Sequence, residues 1–148
     1  MEEFDCLKLK NQLCFPLYSV SNLIVRNYKP LLDKINLTYT QYITMMVLWE
    51  KGDINEKELC DSLFLKSNTI TPLLKKLKDK GYVTLTKDSK DQRNLIISLT
   101  KEGDELKNKA KDIPPSIAKS VGLSFDEAKY LYEILYKILE ANYENLWF

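Results

Sequence analysis

The sequence of 148 residues predicts a mainly α (α+β) fold, and three of its features carry that prediction. Apolar residues recur at helical spacing in both terminal regions of the chain. Two short runs of alternating apolar and polar residues, near positions 83 and 97, predict a β-hairpin. Two short helices joined by a tight link precede that hairpin. This order of helix, turn, helix and hairpin predicts a winged helix-turn-helix.

The charge distribution of the chain favours a nucleic-acid partner more than its total charge does. The formal net charge is +1, which by itself indicates no partner. Between residues 66 and 93, however, eight lysines and arginines stand against three aspartates, whereas the segment from residue 124 onward has five acidic and two basic side chains. A basic middle and an acidic end suit a protein that turns one face towards phosphate.

Several classes of protein are disfavoured by what the sequence lacks. It has no apolar run of membrane-spanning length and no signal-peptide pattern, so we expect a cytoplasmic protein without membrane association. Its three widely spaced cysteines argue against a disulfide framework. The absence of histidine removes His-based triads and His-containing zinc sites. We therefore expect no metal site, no cofactor and no enzymatic activity.

The first predicted helix runs from about Leu7 to Leu32, because apolar residues recur there at three- and four-residue steps. Pro16 interrupts the pattern, so that either the helix kinks there or its regular part begins nearby. Cys14 and Tyr28 lie on nearly the same face, about 21 Å apart along the axis. They cannot touch within one chain, but they can if two copies of this helix cross antiparallel.

The second and third helices are predicted from their capping patterns. Thr38 and Gln41 stand at capping-box spacing, an apolar stripe that includes Met46 follows, and Gly52 is a plausible stop. A further capping pattern beginning at Asn55 opens a short third helix.

The fourth helix has a polar, hydroxyl-rich start and an apolar side. We predict that it begins with Thr69 as its cap, because Pro72 inside a longer helix would cost ~3 kcal/mol or more. With the third helix it makes a helix-turn-helix. Its inward-facing residues are Ile70, Leu73, Leu74 and Leu77.

The hairpin and two more helices complete the chain. Its two half-buried strands lie around Val83 and Ile97 and are joined by a polar loop. Thr100 caps a fifth helix that ends or bends at Pro114, and a capping box at Ser124 opens the last helix.

The last helix, like the first, has a strongly apolar side, and together they predict a shared dimer interface. We predict a single domain over residues 1–148. Its dimerisation elements lie at about 7–34 and 101–148, and its winged helix-turn-helix lies at about 38–100.

The fourth helix and the hairpin tip predict a binding site for double-stranded DNA. A helix fits the major groove, and this one offers short donors and acceptors at its start and lysines for phosphate contacts. At the tip, a guanidinium suits the narrow minor groove, with an aspartate to orient it. The lysines could instead form an ordinary solvent-exposed helix face. The hairpin that directly follows the helix favours contact with DNA. The predicted DNA-binding residues are Ser67, Asn68, Thr69, Thr71, Lys75, Lys76, Lys90, Asp91 and Arg93.

Three stretches of the sequence are similar to one family of proteins. They read NQLCFPLYSVS, with NYKPLLDKINLTYTQY after it; SNTITPLLKKLKDKGYV; and DQRNLIISLTKEG. The last contains a D-x-R hairpin tip followed by a strand and Leu-Thr, and the first contains a cysteine directly after Asn-Gln-Leu. The chain resembles the MarR family of transcriptional repressors along essentially its whole length. More narrowly, it resembles the branch of organic-hydroperoxide-sensing, thiol-based repressors.

The resemblance implies a homodimer with intertwined first and last helices that binds an inverted-repeat operator. It also implies that an organic hydroperoxide oxidises Cys14 to sulfenic acid, after which the DNA is released. Tyr28 and Tyr39 match tyrosines that the opposite subunit brings to this thiol, and Tyr18 matches a third nearby. No resolving cysteine occurs in the last helical region, so we expect a one-cysteine mechanism in which a small thiol caps the sulfenic acid or it is over-oxidised, with a disulfide to Cys6 as the alternative.

Two other functions are compatible with the sequence. The protein could be a MarR-type regulator that a small phenolic or lipophilic ligand releases from DNA, with Cys14 structural. Such a ligand would bind an aromatic cleft of Tyr18, Tyr39, Tyr42 and Trp49. The protein could also be a thiol peroxidase, although the lack of histidine and of a resolving cysteine counts against turnover.

Overall fold

A computed structural model of the protein describes residues 2–144, which form eight α-helices and three β-strands. Two short 3₁₀ turns, Asp5–Leu7 and Leu9–Asn11, precede the first helix. The elements are α1 (Cys14–Asp33), α2 (Tyr39–Lys51), β1 (Ile54–Asn55), α3 (Glu56–Leu63), α4 (Ser67–Asp79), β2 (Val83–Lys87), β3 (Leu95–Leu99), α5 (Lys101–Glu105), α6 (Lys107–Ala110), α7 (Ile113–Val121) and α8 (Phe125–Ala141).

Helix α1 begins at Cys14, so the predicted start at Leu7 is wrong. Its late start places Pro16 in the first turn, where a backbone N–H has no partner within the helix and its loss costs little. Of the two alternatives for Pro16, the structure selects the nearby start. Pro30 lies inside α1 near its C-terminal end, a position that no sequence pattern predicted.

The predicted helix caps are present. Thr38 Oγ1 accepts a hydrogen bond from the Gln41 backbone N–H at 3.3 Å, and the Thr38 backbone N–H donates to Gln41 Oε1 at 3.1 Å. Ser124 and Glu127 make the same reciprocal pair at the start of α8. The Asn55 side chain caps α3 by accepting from the Glu58 backbone N–H at 2.8 Å, but the reciprocal contact of the predicted capping box, from the Asn55 backbone N–H to the Glu58 side chain, is not formed. Because a cap depends only on residues three positions apart, these helix starts can be predicted from the sequence.

Helix α4 begins at Ser67, with Lys66 as its N-cap residue, so the predicted cap at Thr69 is wrong. Pro72 is therefore an interior residue and removes one helical hydrogen bond, at a cost of roughly 3 kcal/mol. The buried face of α4 offsets that cost. Ile70, Leu74 and others on that face are fully buried, and each such side chain contributes roughly 1.5–3 kcal/mol.

The β-sheet has three antiparallel strands in the order β1–β3–β2. Strands β2 and β3 form the predicted hairpin, in which Val83 pairs with Leu99 and Leu85 pairs with Ile97. Strand β1 adds two residues to the free edge of β3 and pairs Ile54 with Ile97. A two-residue strand is too short to show a period in the sequence, which is why it was not predicted.

The predicted fifth helix is divided into three pieces, α5, α6 and α7. Thr100 caps α5 as expected, since its Oγ1 accepts from the Gly103 backbone N–H at 3.0 Å. Helix α7 begins one residue before Pro114, so that Pro114 and Pro115 occupy the first turn, where proline is tolerated. Pro114 therefore marks the start of a new helix.

The hydrophobic core lies between α2, α3, α4 and the sheet, and α7 packs against α1. Met45 and Leu48 of α2 are fully buried, whereas Met46, predicted to share their stripe, is 42% exposed. Helix α8 has no buried residue. None of the helices within residues 2–144 is long and apolar enough to cross a membrane.

Candidate DNA-binding surface and cysteine site

The outward face of α4 holds most of the predicted DNA-binding residues. Its buried face fixes the helix against the core and leaves the opposite face in solvent. All six predicted residues of this helix are exposed, namely Ser67, Asn68, Thr69, Thr71, Lys75 and Lys76. The structure therefore places them together on one accessible helix surface.

One of these residues also has a partner within the protein. The Thr71 hydroxyl donates to Glu56 Oε1 at 2.7 Å, across the two helices of the helix-turn-helix. This contact ties α4 to the N-terminus of α3. The Thr71 hydroxyl proton is used in the contact, so this side chain offers DNA an acceptor oxygen. Glu56 was missed in the sequence because it lies 15 residues from Thr71 and no local pattern joins the two.

The hairpin between β2 and β3 presents Arg93 at its tip in a fixed orientation. Arg93 Nε donates to Asp91 Oδ1 and Nη2 donates to Asp91 Oδ2, both at 3.1 Å. The Arg93 guanidinium, and then its backbone N–H, hold the pKa of the Asp91 carboxyl below its ordinary value. The Arg93 side chain is 91% exposed. Asp91 therefore orients the guanidinium, as predicted, and Lys90 is exposed beside it.

A cavity of about 670 Å³ separates the start of α4 from the hairpin. Two residues of the predicted surface, Ser67 and Arg93, line it. Asn55, Lys57 and Lys66 line the same cavity, as do the acidic side chains Glu56 and Asp61. The surface between α4 and the hairpin is thus concave and extends to the start of α3.

The segment that follows α8 reaches this cavity. The Tyr143 hydroxyl bonds to the Asp61 carboxylate, and this contact, followed by that with Lys57, holds the pKa of Asp61 below its ordinary value. The Tyr143 ring also packs edge-to-face on Phe64, with ring centroids 6.0 Å apart. The last described residues therefore contact α3. No sequence signal pointed to this contact.

Cys14 is the first residue of α1 and is exposed. Its neighbours along the chain are exposed apolar residues, among them Leu13 and Phe15. Tyr18, predicted to lie near the thiol, is one turn further along the helix and is 68% exposed. Cys14 and Tyr18 thus share an accessible and mostly apolar surface.

The other two predicted tyrosines form a cluster at the far end of α1. The ring of Tyr28 lies 5.0 Å from that of Tyr39 and 5.7 Å from that of Tyr42. Burial, and then the neighbouring Tyr39 and Tyr42, raise the pKa of Tyr28 to about 12. All three hydroxyls therefore remain protonated hydrogen-bond donors near neutral pH. Within one chain this cluster lies about 21 Å along the helix from Cys14.

The remaining cysteines differ in accessibility. Cys6 is exposed, whereas Cys60 is buried in the core, as expected for a small apolar residue. Burial is the main cause that raises the pKa of the Cys60 thiol, followed by the charges of Glu56 and Asp61. Over residues 2–144, no group of three or more Cys, Asp and Glu side chains is placed to hold a metal ion.

Three of the four residues of the predicted aromatic cleft line two separate cavities, and Tyr18 lines neither of them. Tyr42 and Trp49 line one of about 340 Å³ beside Lys107 and Lys111. Tyr39 lines a separate cavity of about 300 Å³ between α1 and the start of α2. The four residues therefore do not meet at one site within a single chain.

The fold and this surface define a class of protein. A helix-turn-helix presents an exposed helix with lysines, and the adjoining hairpin holds an oriented arginine at its tip. This arrangement is that of the winged helix-turn-helix DNA-binding transcription regulators.

Comparison with known proteins gives the family within that class. The profile described as "Transcriptional regulator SarA/Rot" matches residues 26–110. The organic hydroperoxide resistance transcriptional regulator of Bacillus subtilis (strain 168) is 42% identical over 143 residues, which is 97% of either chain. The regulator SarZ of Staphylococcus epidermidis is 39% identical over 137 residues, 93% of either chain. The chain belongs to the MarR-type family of transcriptional regulators that contains these proteins, as its resemblance predicted.

Solved structures agree with this assignment. The reduced form of AbfR of Staphylococcus epidermidis bound to DNA is 35% identical, covers 95% of this chain and 98% of its own, and has a TM-score of 0.75. The disulfide form of AbfR, 34% identical and covering 95% of either chain, has a TM-score of 0.63. Over-oxidised AbfR bound to DNA, 34% identical, also has a TM-score of 0.75, so the conformation described here is more similar to both DNA-bound forms than to the disulfide form.

Proposed function

We propose that this regulator is a repressor that binds an inverted-repeat operator as a homodimer and releases it when an organic hydroperoxide oxidises Cys14. The observation that carries the proposal is the exposed thiol of Cys14 at the start of α1. It occurs in a chain that is 42% identical to an organic hydroperoxide resistance regulator. We infer further that the protein acts in the cytoplasm.

The homodimer is supported by the apolar surface of the terminal helices. Helix α8 has no buried residue, and α1 exposes most of its apolar side chains. A stable monomer seldom leaves the apolar sides of two helices exposed. A second copy of the chain would cover it about a two-fold axis. The exposed apolar residues include Leu13, Leu17, Val20, Leu23, Leu131, Leu135 and Ile138.

The homodimer would also bring tyrosine hydroxyls to the Cys14 thiol. A single chain keeps Cys14 and the Tyr28 cluster at opposite ends of α1, but two antiparallel copies bring each thiol to the other chain's tyrosines. Protonated tyrosine hydroxyls donate to sulfur and favour its thiolate form. The N-terminal turn of a helix favours negative charge as well.

The Cys14 thiolate would act as the nucleophile in the reaction with the hydroperoxide. The sulfur attacks one oxygen of the hydroperoxide, a sulfur–oxygen bond forms, and the oxygen–oxygen bond breaks. The alkoxide takes up a proton and leaves as the alcohol, while Cys14 becomes a sulfenic acid. The added oxygen occupies the place where the tyrosine hydroxyls would contact the sulfur. We infer that it displaces those hydroxyls, alters how α1 lies against α2 and so changes the spacing of the two DNA-binding lobes.

On DNA, each lobe would place α4 in the major groove and Arg93 in the adjacent minor groove. Ser67, Asn68 and Thr69 would meet base edges at the start of α4, while Lys75 and Lys76 would contact phosphates. The two half-sites would lie about one helical turn apart.

Replacing Cys14 by serine tests the proposal. We expect Cys14→Ser to bind the operator as tightly as the reduced wild type and to keep it after treatment with cumene hydroperoxide. The wild type should lose roughly 5- to 150-fold in affinity, the usual range of coupling between two sites. Fluorescence anisotropy with a labelled operator measures both affinities, and mass spectrometry reports the oxidation of Cys14. Cys6→Ser is the matched control and should respond as the wild type does.

Release of Cys14→Ser by peroxide would contradict the proposal. Release of the same variant by a phenolic compound such as salicylate would instead favour the alternative of a ligand-controlled regulator. The cavity beside Tyr42 and Trp49 is then the place to look for that ligand.

The phosphate contacts of α4 give a second prediction. Lys75→Ala should weaken binding to every DNA sequence similarly and lower the slope of log K against log salt concentration by about 2, roughly 0.9 for each subunit. Anisotropy titrations between about 50 and 300 mM salt measure this change. Lys129→Ala removes one lysine from α8 and should leave the slope unchanged. An equal slope for Lys75→Ala and wild type would remove Lys75 from the DNA contacts.

A further inference from the structure

Lys80, directly after the last residue of α4, is bonded to a distant part of the chain. Its ammonium donates to the backbone carbonyl of Asn36 at 2.7 Å and to Gln41 Oε1 at 2.8 Å. Asn36 belongs to the turn between α1 and α2, and Gln41 belongs to the first turn of α2. A single side chain therefore joins the end of the DNA-binding helix to the α1–α2 turn.

Both acceptors are held in place by the fold. Gln41 is 3% exposed, and its Oε1 also accepts from the Thr38 backbone N–H at 3.1 Å. Asn36 is in the left-handed region, with φ of 56°, between the buried residues Ile35 and Leu37. A shift of the α1–α2 turn must therefore move both oxygens away from the Lys80 ammonium or carry Lys80 with them.

The charge of Lys80 makes this contact sensitive to displacement. Both oxygens are neutral, and within residues 2–144 no carboxylate forms an ion pair with Lys80. Partial burial lowers the pKa of Lys80, and the nearby charge of Lys76 lowers it further. The partial negative charge at the C-terminal end of α4, in contrast, favours the charged form of the Lys80 ammonium. A partly buried ammonium that loses its acceptors must regain water or move, because leaving it unbonded is costly.

The α1–α2 turn also adjoins the tyrosine cluster. Tyr39 lies two residues before Gln41, at the start of α2, and its ring packs on that of Tyr28 at 5.0 Å. The opening turn of α2 thus contacts the tyrosines through one residue and the end of α4 through another. A rearrangement of the tyrosines has a short, contiguous and hydrogen-bonded route to the DNA-binding helix.

We propose that Lys80 is a positioning residue that couples the α1–α2 turn to α4, so that a change at the Tyr28–Tyr39 cluster moves the DNA-binding helix. This inference rests on the proposed function, since it assumes that oxidation at Cys14 is what disturbs the cluster. It makes Lys80 part of the switch, with no direct contact to DNA required.

The test compares affinity for the operator before and after peroxide in four proteins. Lys80→Met keeps most of the aliphatic stem and removes the donors. We expect its ratio of reduced to oxidised affinity to fall to about one third of the wild-type ratio or less. Lys78→Met removes the same charge from an exposed position of the same helix and should keep the wild-type ratio. Lys80→Arg restores charge and donors and should recover most of the ratio.

Hydrogen exchange of residues 76–82 gives a readout that does not depend on DNA. In the wild type, exchange in this segment should increase upon oxidation. In Lys80→Met it should be high already in the reduced protein and change little with peroxide. Gln41→Met removes one acceptor from the other side of the contact and should reproduce the smaller ratio if Lys80→Met folds poorly by circular dichroism.

The failures of the two proposals are distinguishable. If the wild type keeps its operator under peroxide, the proposed function fails. If the wild type releases the operator and folded Lys80→Met and Gln41→Met release it by the same ratio, the coupling role of Lys80 is overturned while the proposed function stands.

Discussion

Replacing Leu135 by arginine is expected to convert the protein into a monomer and to abolish specific binding to its operator. Leu135 lies on the apolar side of α8, a helix with no residue buried within its own chain. Two-fold symmetry doubles the effect, because each subunit brings one unpaired guanidinium into the interface. Desolvation of an unpaired charge costs several kcal/mol. Since every 1.4 kcal/mol is about tenfold in affinity, the dimer should weaken by roughly a thousandfold or more.

Sedimentation velocity at micromolar concentration measures the change in oligomeric state, and anisotropy measures operator affinity. The matched control is Glu133→Arg, which introduces the same side chain two residues earlier, on the opposite side of α8. It should remain dimeric and bind DNA. A dimeric Leu135→Arg protein would show that α8 does not form the interface through this side.

Replacing Gly103 by alanine is expected to destabilise the fold by about 3 kcal/mol or more, as overpacking against rigid backbone does. A Cβ at this position would lie 2.0 Å from the Tyr82 carbonyl oxygen and 2.9 Å from its carbon. That carbonyl cannot easily retreat, because it also accepts from the Thr100 backbone N–H at 3.1 Å. The Gly103 carbonyl is held in turn by the Trp49 indole N–H at 2.9 Å.

Urea unfolding followed by circular dichroism measures the loss in free energy of unfolding. Gly122→Ala is the control, because Gly122 has φ of 72° and a Cβ added there would meet no atom within 4 Å. It should cost only about 1 kcal/mol, from the left-handed backbone alone. An equal loss in free energy of unfolding for both variants would show that the structure shifts to relieve the contact of the added Cβ with the Tyr82 carbonyl.

Gly103 also shows why the winged helix-turn-helix is tightly connected to the C-terminal helices. It lies in α5, which leads from the hairpin into the C-terminal helices, and it packs directly on the backbone at the start of the hairpin. A substitution there should therefore affect operator binding as well as stability.

Features that depend on neighbouring residues were predicted correctly from the sequence. The caps at Thr38, Thr100 and Ser124 each require a partner three residues away. The two strands of the hairpin follow from the alternation of apolar and polar residues along each of them. The exposed positions of α4 follow from the spacing of its apolar residues. The family was also predicted correctly from the sequence, because its motifs are continuous stretches of residues.

Two of the wrong predictions concern helix ends near prolines. Pro72 was expected to lie in the first turn of α4, yet it is interior, because tertiary burial of the apolar face outweighs one lost hydrogen bond. The start of α1 was placed too early, since the apolar period continues through residues that form 3₁₀ turns. Local periodicity does not show which apolar residues the rest of the fold will bury.

The sequence by itself determined the class of fold, the family, the exposed face of α4 and Cys14 as the thiol to test. Only the tertiary structure decided which distant groups meet. The contacts of Thr71 with Glu56 and of Lys80 with Gln41 span 15 and 39 residues. Contacts of that kind leave no period or motif in the sequence, because they depend on how packed helices bring their ends together. Both contacts join the region of α4 to other elements of the fold.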